Sequence, residues 1–143
     1  MKFKLLDDSA QKTFAVILDT GDEAMASLLA FAKQNSVTAA HFTAIGAFSA
    51  AVLGYFDWEK KDYSRIPVGE QVEVVSLIGD IALEKDQPKI HAHAVIGKRN
   101  GVAMAGHLLE GHVRPTLEIT LIESPAHLRR EFDARAGLAL IKI

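Results

Sequence analysis

The stretch Ile90 to Val113, IHAHAVIGKRNGVAMAGHLLEGHV, holds four of the six histidines in the chain. Residues 90–97 and 102–108 read as two strands joined by Lys98-Arg99-Asn100-Gly101. A three-residue loop of Arg99, Asn100 and Gly101 places Gly101 where a bulged hairpin needs a positive φ. Lys98 then pairs with Val102, and the register sets His93 opposite His107. His91 lies two residues along the same face, because strand side chains alternate with period two. Directly opposed residues have Cβ atoms about 5 Å apart, and diagonal ones about 7–8 Å. Three imidazoles at those spacings can converge on one ion. A one-residue change in the loop would turn His107 to the other face, so the turn decides the reading.

Three neutral imidazoles with an open fourth position form the ligand set of a catalytic zinc site and suit other divalent transition metals. The expected metal ligands are His91, His93 and His107. His112, in a second Gly-His step, is a reserve ligand or a group standing behind the ligands. The plainer alternative is a row of hydrogen-bonded histidines in a polar groove or at a subunit contact.

Composition bounds the other readings. The 143 residues are enough for one domain with a sizeable core. An apolar fraction of 49% argues against a mainly disordered chain. No apolar run approaches the roughly 20 residues that span a bilayer. The start, MKFKLLDDSAQ, has too short an apolar core for a signal peptide, so the cytoplasm is the expected location. With no cysteine, thiolate zinc sites and disulfides drop out, and a metal must be held by histidine or carboxylate. The net charge of −2 gives no support to duplex binding, which draws much of its affinity from Lys and Arg. The basic pairs Lys60-Lys61, Lys98-Arg99 and Arg129-Arg130 read as solvated turns or helix faces.

Along the chain, Lys2 to Leu6 reads as an edge strand and Thr13 to Leu18 as a buried one. Asp19 to Glu23 offers N-cap choices for a helix from Asp22 to Gln34, with Met25, Leu28, Leu29 and Ala32 as its buried stripe. Val37 to Ile45 and Ala50 to Asp57 read as two strands separated by Gly46. Trp58, Tyr63 and the charges around them form a hairpin tip or long turn, with the aromatics at a subunit contact or in a local cluster. Gln71 to Leu83 is a long strand with a bulge or bend expected at Gly79. After the histidine hairpin come a strand at Pro115 to Glu123, a helix-like segment around His127 to Asp133, and a last strand at Leu138 to Ile143. Short links imply antiparallel neighbours. The expected class is α+β: a single domain, residues 1–143, with a mostly antiparallel sheet of eight or nine short-turn-linked strands and one main helix.

The runs LGYFDWEKKDY, EVVSLIGDIAL and HAHAVIG…GHLLEGHV resemble the plant- and prokaryote-conserved (PPC) domain, over about Phe14 to Glu123. The resemblance implies a small stand-alone domain assembled as a homotrimer. It also implies a metal, zinc in many members, on His91, His93 and His107. Where the family often has two glycines before the third histidine, this chain has Ala105-Gly106. In plants the domain follows AT-hook tails in DNA-binding proteins. Here no Arg-Gly-Arg-Pro hook occurs, and Glu70 to Val75 lacks the Gly and Arg of the plant interaction stretch. A regulatory or DNA-associated module is the function the resemblance implies, with DNA weakly supported. The fold is also similar to that of acetolactate decarboxylase, which has a three-histidine metal centre. The alternative is therefore a metal-dependent enzyme, lyase- or hydrolase-like, acting on a small carbonyl or carboxylate compound. Glu118 and Arg114 are its candidate catalytic residues. Glu118 lies in an otherwise apolar strand and either turns inward, needing a partner, or faces solvent.

Overall fold

A computed structural model describes residues 1–7, 11–124 and 129–142. Nine strands and one helix follow in the order β1 (Lys2–Asp7), β2 (Thr13–Asp19), α1 (Ala24–Gln34), β3 (Ala40–Asp57), β4 (Asp62–Val68), β5 (Val72–Glu84), β6 (Gln87–Gly97), β7 (Ala103–Glu123), β8 (Arg129–Asp133) and β9 (Leu138–Lys142). With a single eleven-residue helix among nine strands, the described residues are strand-dominated, and the α+β label fits them only loosely.

All strands belong to one sheet, in the order β1-β2-β7-β3-β5-β8-β9, with β4 on β3, and β6 bridging β5 and β7. The pairings β3–β5, β5–β6, β6–β7 and β7–β3 close a circuit. The sheet is mixed rather than wholly antiparallel, because β8 runs parallel to β5 through Leu83–Arg129 and Glu84–Arg130.

Two strands are longer than the sequence suggests. Gly46 does not end a strand. It sits in a bulge, and β3 runs on to Asp57. Likewise β7 continues from the hairpin through Pro115 to Glu123. Register shifts at Gly46/Phe48, Phe48/Ala50 and Val52/Leu53 absorb the breaking residues. Such bulges bend a strand without ending it, so β3 and β7 each pair in both halves of the sheet. The expected irregularity at Gly79 falls instead at Val74/Ser76.

The core follows from alternation. In β2, Phe14, Val16 and Leu18 are buried while their neighbours are half-exposed. Helix α1 covers the sheet with Ala24, Leu28, Phe31 and Ala32. Leu29 is only half-buried, and Phe31 takes the central place, edge-on to Phe14 at 5.2 Å. The helix starts at Glu23, whose carboxylate accepts from the backbone N–H of Met25 and Ala26 and also from that of Gly111 in β7. One side chain thus supplies the orphan donors of the first turn and ties the helix to the sheet. Among the described residues, no helix is long and apolar enough to cross a membrane.

Candidate metal centre

The histidine hairpin forms as its spacing requires. Lys98 N donates to Val102 O at 2.9 Å, Gly101 N donates to Lys98 O at 2.8 Å, and Gly101 has φ +81°. His93 is opposite His107, and His91 lies two residues along β6. On the other side of β6, Ile78 faces His93 and Asp80 faces His91. Between them, Gly79 lets β6 approach: a Cβ there would sit 2.4 Å from His91 O and 2.4 Å from the Phe42 ring.

The three rings meet. Their centroids are 5.1 Å apart for His91–His93, 5.1 Å for His91–His107 and 5.4 Å for His93–His107. One nitrogen from each lies within 4.8 Å of the other two, and this is the metal-competent cluster among the described residues. The Nε2 atoms of His91 and His93 are 3.2 Å apart. Two nitrogens bound tetrahedrally to one zinc at 2.0–2.1 Å stand about 3.3 Å apart, so this pair already has the separation of a chelate. Nδ1 of His107 is buried with no hydrogen-bond partner. Leaving such an atom unsatisfied costs about 1–3 kcal/mol, and a cation bound through it would remove that cost. The residues fit a divalent ion.

At His107 and His93 the surroundings favour the neutral ring, the state a ligand needs. Burial lowers the His107 pKa to about 4, helped by the neighbouring His91 and His93 and by Arg130 and Lys89. His93 is lowered too, by burial and then by His91.

Three residues that the sequence did not place at the site surround the rings. Tyr63 stacks on His107 with centroids 4.6 Å apart. It belongs to β4, which starts at Asp62, so of the two expected alternatives the hairpin tip holds, with residues 58–61 as the turn and Tyr63 in a strand. Trp58 remains in the turn, 58% exposed. Asp80 Oδ2 lies 3.6 Å from His91 Nδ1. Arg130 Nη2 donates to Asp80 Oδ1 at 2.5 Å and lies 3.5 Å from His91 Nδ1. Burial pushes the Asp80 carboxyl up, but His91 and Arg130 outweigh it, and its pKa is lowered.

Arg130 requires a correction. The helix-like segment expected around His127 to Asp133 lies partly outside the described residues, and its described part, Arg129–Asp133, is strand β8. The Arg129-Arg130 pair is not uniformly solvated. Arg129 is exposed, whereas the Arg130 side chain is 8% exposed. Alternation along β8 separates them. The signal available was the apolar alternation of Phe132, Leu138 and Leu140, and it is short.

The remaining candidates lie elsewhere. His112 is exposed, bridges to Glu23 at the helix start, and is five residues beyond His107, about 17 Å of strand. Arg114 and Glu118 are exposed farther along β7. Glu118 pairs across to Ile17 and Ile45 and takes the solvent-facing alternative. Eleven residues separate it from His107, about 36 Å of strand. The chain itself brings none of the three to the histidines.

Comparison with known proteins places the chain in a family. The sequence pattern of the Plants and Prokaryotes Conserved (PCC) domain matches residues 6–125. A metal-containing protein from Archaeoglobus fulgidus is 31% identical, with 99% of this chain and 97% of that one covered and a TM-score of 0.86. A plant- and prokaryote-conserved (PPC) protein from Pyrococcus horikoshii is 32% identical, with 99% and 95% covered and a TM-score of 0.87. A candidate DNA-binding protein from Ralstonia eutropha is 27% identical, with 91% and 90% covered and a TM-score of 0.85. A Staphylococcus aureus protein similar to α-acetolactate decarboxylase shares the fold more distantly: 11% identity, a TM-score of 0.52, and 84% of this chain against 52% of that one. No curated protein matches the sequence. From residue 6 to residue 125, the histidine hairpin included, this chain belongs to the Plants and Prokaryotes Conserved (PCC) domain family.

Proposed function

We propose that this protein is a small metal-binding domain that holds one divalent transition ion, zinc by its donor set, on His91, His93 and His107, and that it works as a homotrimer. The observation that carries the reading is the convergence of three imidazole nitrogens within 4.8 Å. The metal-containing relative from Archaeoglobus fulgidus supports it. The trimer draws support from exposed Ile45, Val75, Ile78 and Val95 on the sheet around His93, apolar surface of the kind that subunit contacts cover. A single species of three chains in light scattering is the expected outcome, and a monomer would refute it.

Each of this chain's residues has a part. Asp80, held by Arg130, orients the His91 ring. Tyr63 covers one face of His107 and excludes water from it. The ion, when bound, supplies Lewis acidity at whatever position the protein leaves open.

The test is metal analysis of protein purified without a histidine tag. One equivalent of metal per chain is expected, with none in the His91→Ala, His93→Ala double variant. Metal that persists in the double variant would sink the reading.

A regulatory, DNA-associated role rests on the candidate DNA-binding relative. Charge pairing weighs against it: Lys98 is matched by Glu70, Arg129 by Asp86 and Arg130 by Asp80. No gel retardation even at low salt is the expected result. A second reading, a metal-dependent enzyme, is favoured by one observation. A cavity of about 420 Å³ opens onto His91 and His107, so a small molecule can reach the cluster.

A further inference from the structure

That cavity is lined by two kinds of group. His91, His107 and Arg130 make up its polar floor, and Phe132 and Leu140 of the β8–β9 hairpin its apolar wall, with Tyr63, Glu84 and Lys89 also lining it. Phe132 is 72% exposed and Leu140 39%, so apolar surface stands open beside a polar floor.

The charges at the floor are unevenly spent. Lys89 is paired with Glu84 at 2.9 Å. Arg130 gives Nη2 to Asp80 and Nη1 to Ala139 O at 3.3 Å, while its Nε is buried with no acceptor. A guanidinium has five N–H donors, so this one is fixed in place with donors to spare. The proposed ligand set is three neutral rings, which offset none of a divalent ion's charge. Asp80, 3.6 Å from His91, is already matched by Arg130. With the ion bound, the floor therefore carries an excess of about two positive charges.

We propose that the cavity binds a small organic monocarboxylate with an apolar body, its carboxylate at the His91–His107–Arg130 floor and its hydrocarbon against Phe132 and Leu140. The floor calls for an anion and the wall for hydrocarbon, and one molecule satisfies both. This rests on the metal reading above. Inorganic anions would meet only the floor, and neutral amides only the wall.

The test uses the full chain loaded with zinc, its metal content measured on the same samples, and titrates hexanoate, hexanamide and acetate by calorimetry. Hexanoate is expected to bind at least tenfold tighter than hexanamide and several-fold tighter than acetate. Arg130→Gln should weaken hexanoate about tenfold when it is compared with the unsubstituted protein at equal measured zinc content. Phe132→Ser, at a position 72% exposed, should weaken hexanoate and leave acetate as it was. Equal binding of hexanoate and hexanamide would overturn the proposal, as would an unchanged hexanoate-to-acetate ratio in Phe132→Ser. If the samples hold no zinc, the metal reading fails by itself. The titration is then read on metal-free protein, where a retained preference for hexanoate over hexanamide keeps the Arg130 cavity and its absence overturns it.

Discussion

The β6–β7 hairpin and the β8–β9 hairpin both reach the histidine cluster, but by different means. The first is anchored in the core. Ala92, Ala94, Ile96 and Leu108 alternate inward beneath the outward histidines, and a glycine turn sets the register. The second contributes little to the core and is tied down at its edge by Arg130, through Asp80 of β5, and by two residue pairs alongside β5. One hairpin places the ligands by packing. The other reaches them through a charged hydrogen bond. The difference predicts that the first tolerates little change anywhere, whereas the second is sensitive at one residue.

A matched pair of glycine substitutions tests this most strongly. Gly79→Ala puts a methyl 2.4 Å from the backbone oxygen of His91, and that strand cannot move aside. A loss of about 3 kcal/mol is expected in chemical denaturation, with weaker metal binding. Gly137→Ala, in the β8–β9 turn at φ +74°, meets the Cβ and Cδ of Lys61 at 2.9 Å but no backbone atom of another strand. It should cost about 1–2 kcal/mol for the left-handed backbone, together with a shift of Lys61, and leave metal binding unchanged. Equal costs would erase the distinction between the two hairpins.

Asp80 is where the hairpins join, so Asp80→Asn asks whether the second supports the first. The expected outcome is a metal affinity 10–100-fold weaker, with one equivalent still bound at saturating metal. An unaltered affinity would mean that β8–β9 only borders the site. Acidification gives a further reading of the same region. His93 and His107 are harder to protonate folded than unfolded, so the native state binds fewer protons than the unfolded one. Metal-free protein should hold its full stability above about pH 6.5 and lose part of it on the way down to about 4, the His107 value. Its melting temperature followed over that window should fall, and His107→Gln should flatten the curve. A melting temperature that rises on acidification would contradict the burial of these rings.

The two hairpins also differ in how far the sequence reveals them. Alternation, one glycine and a countable loop make the turn and register of β6–β7 legible to the residue, though not the outer ends of its strands, because the constraints on the turn are local. The long strands were harder: Gly46 and Pro115 look like breaks, and only the bulged pairing of β3 with β7 carries the chain past them. Nothing tied Asp80 or Tyr63 to the histidines, since each meets them across a strand pairing that no spacing records. His112, Arg114 and Glu118 sit close to the ligands in sequence, yet distance along an extended strand accumulates quickly and takes them away.

Arg129 and Arg130 bring this down to adjacent residues. They are identical in type, yet alternation sends one to solvent and the other beneath the histidines. Arg129 meets Asp86 at 2.6 Å, but its side chain is 57% exposed and that of Asp86 80%. Water screens such a pair, and holding two long side chains in one geometry has an entropic cost, so its contribution is about 0–1 kcal/mol. Arg129→Ala should therefore shift the denaturation midpoint barely at all and leave metal affinity untouched. Arg130→Ala strands Asp80 beside the rings and should cost several kcal/mol. Were Arg129→Ala to prove as damaging as Arg130→Ala, β8 would be held by its outer face. The reach of Arg130 to the histidines would then be incidental to how the hairpin stays in place.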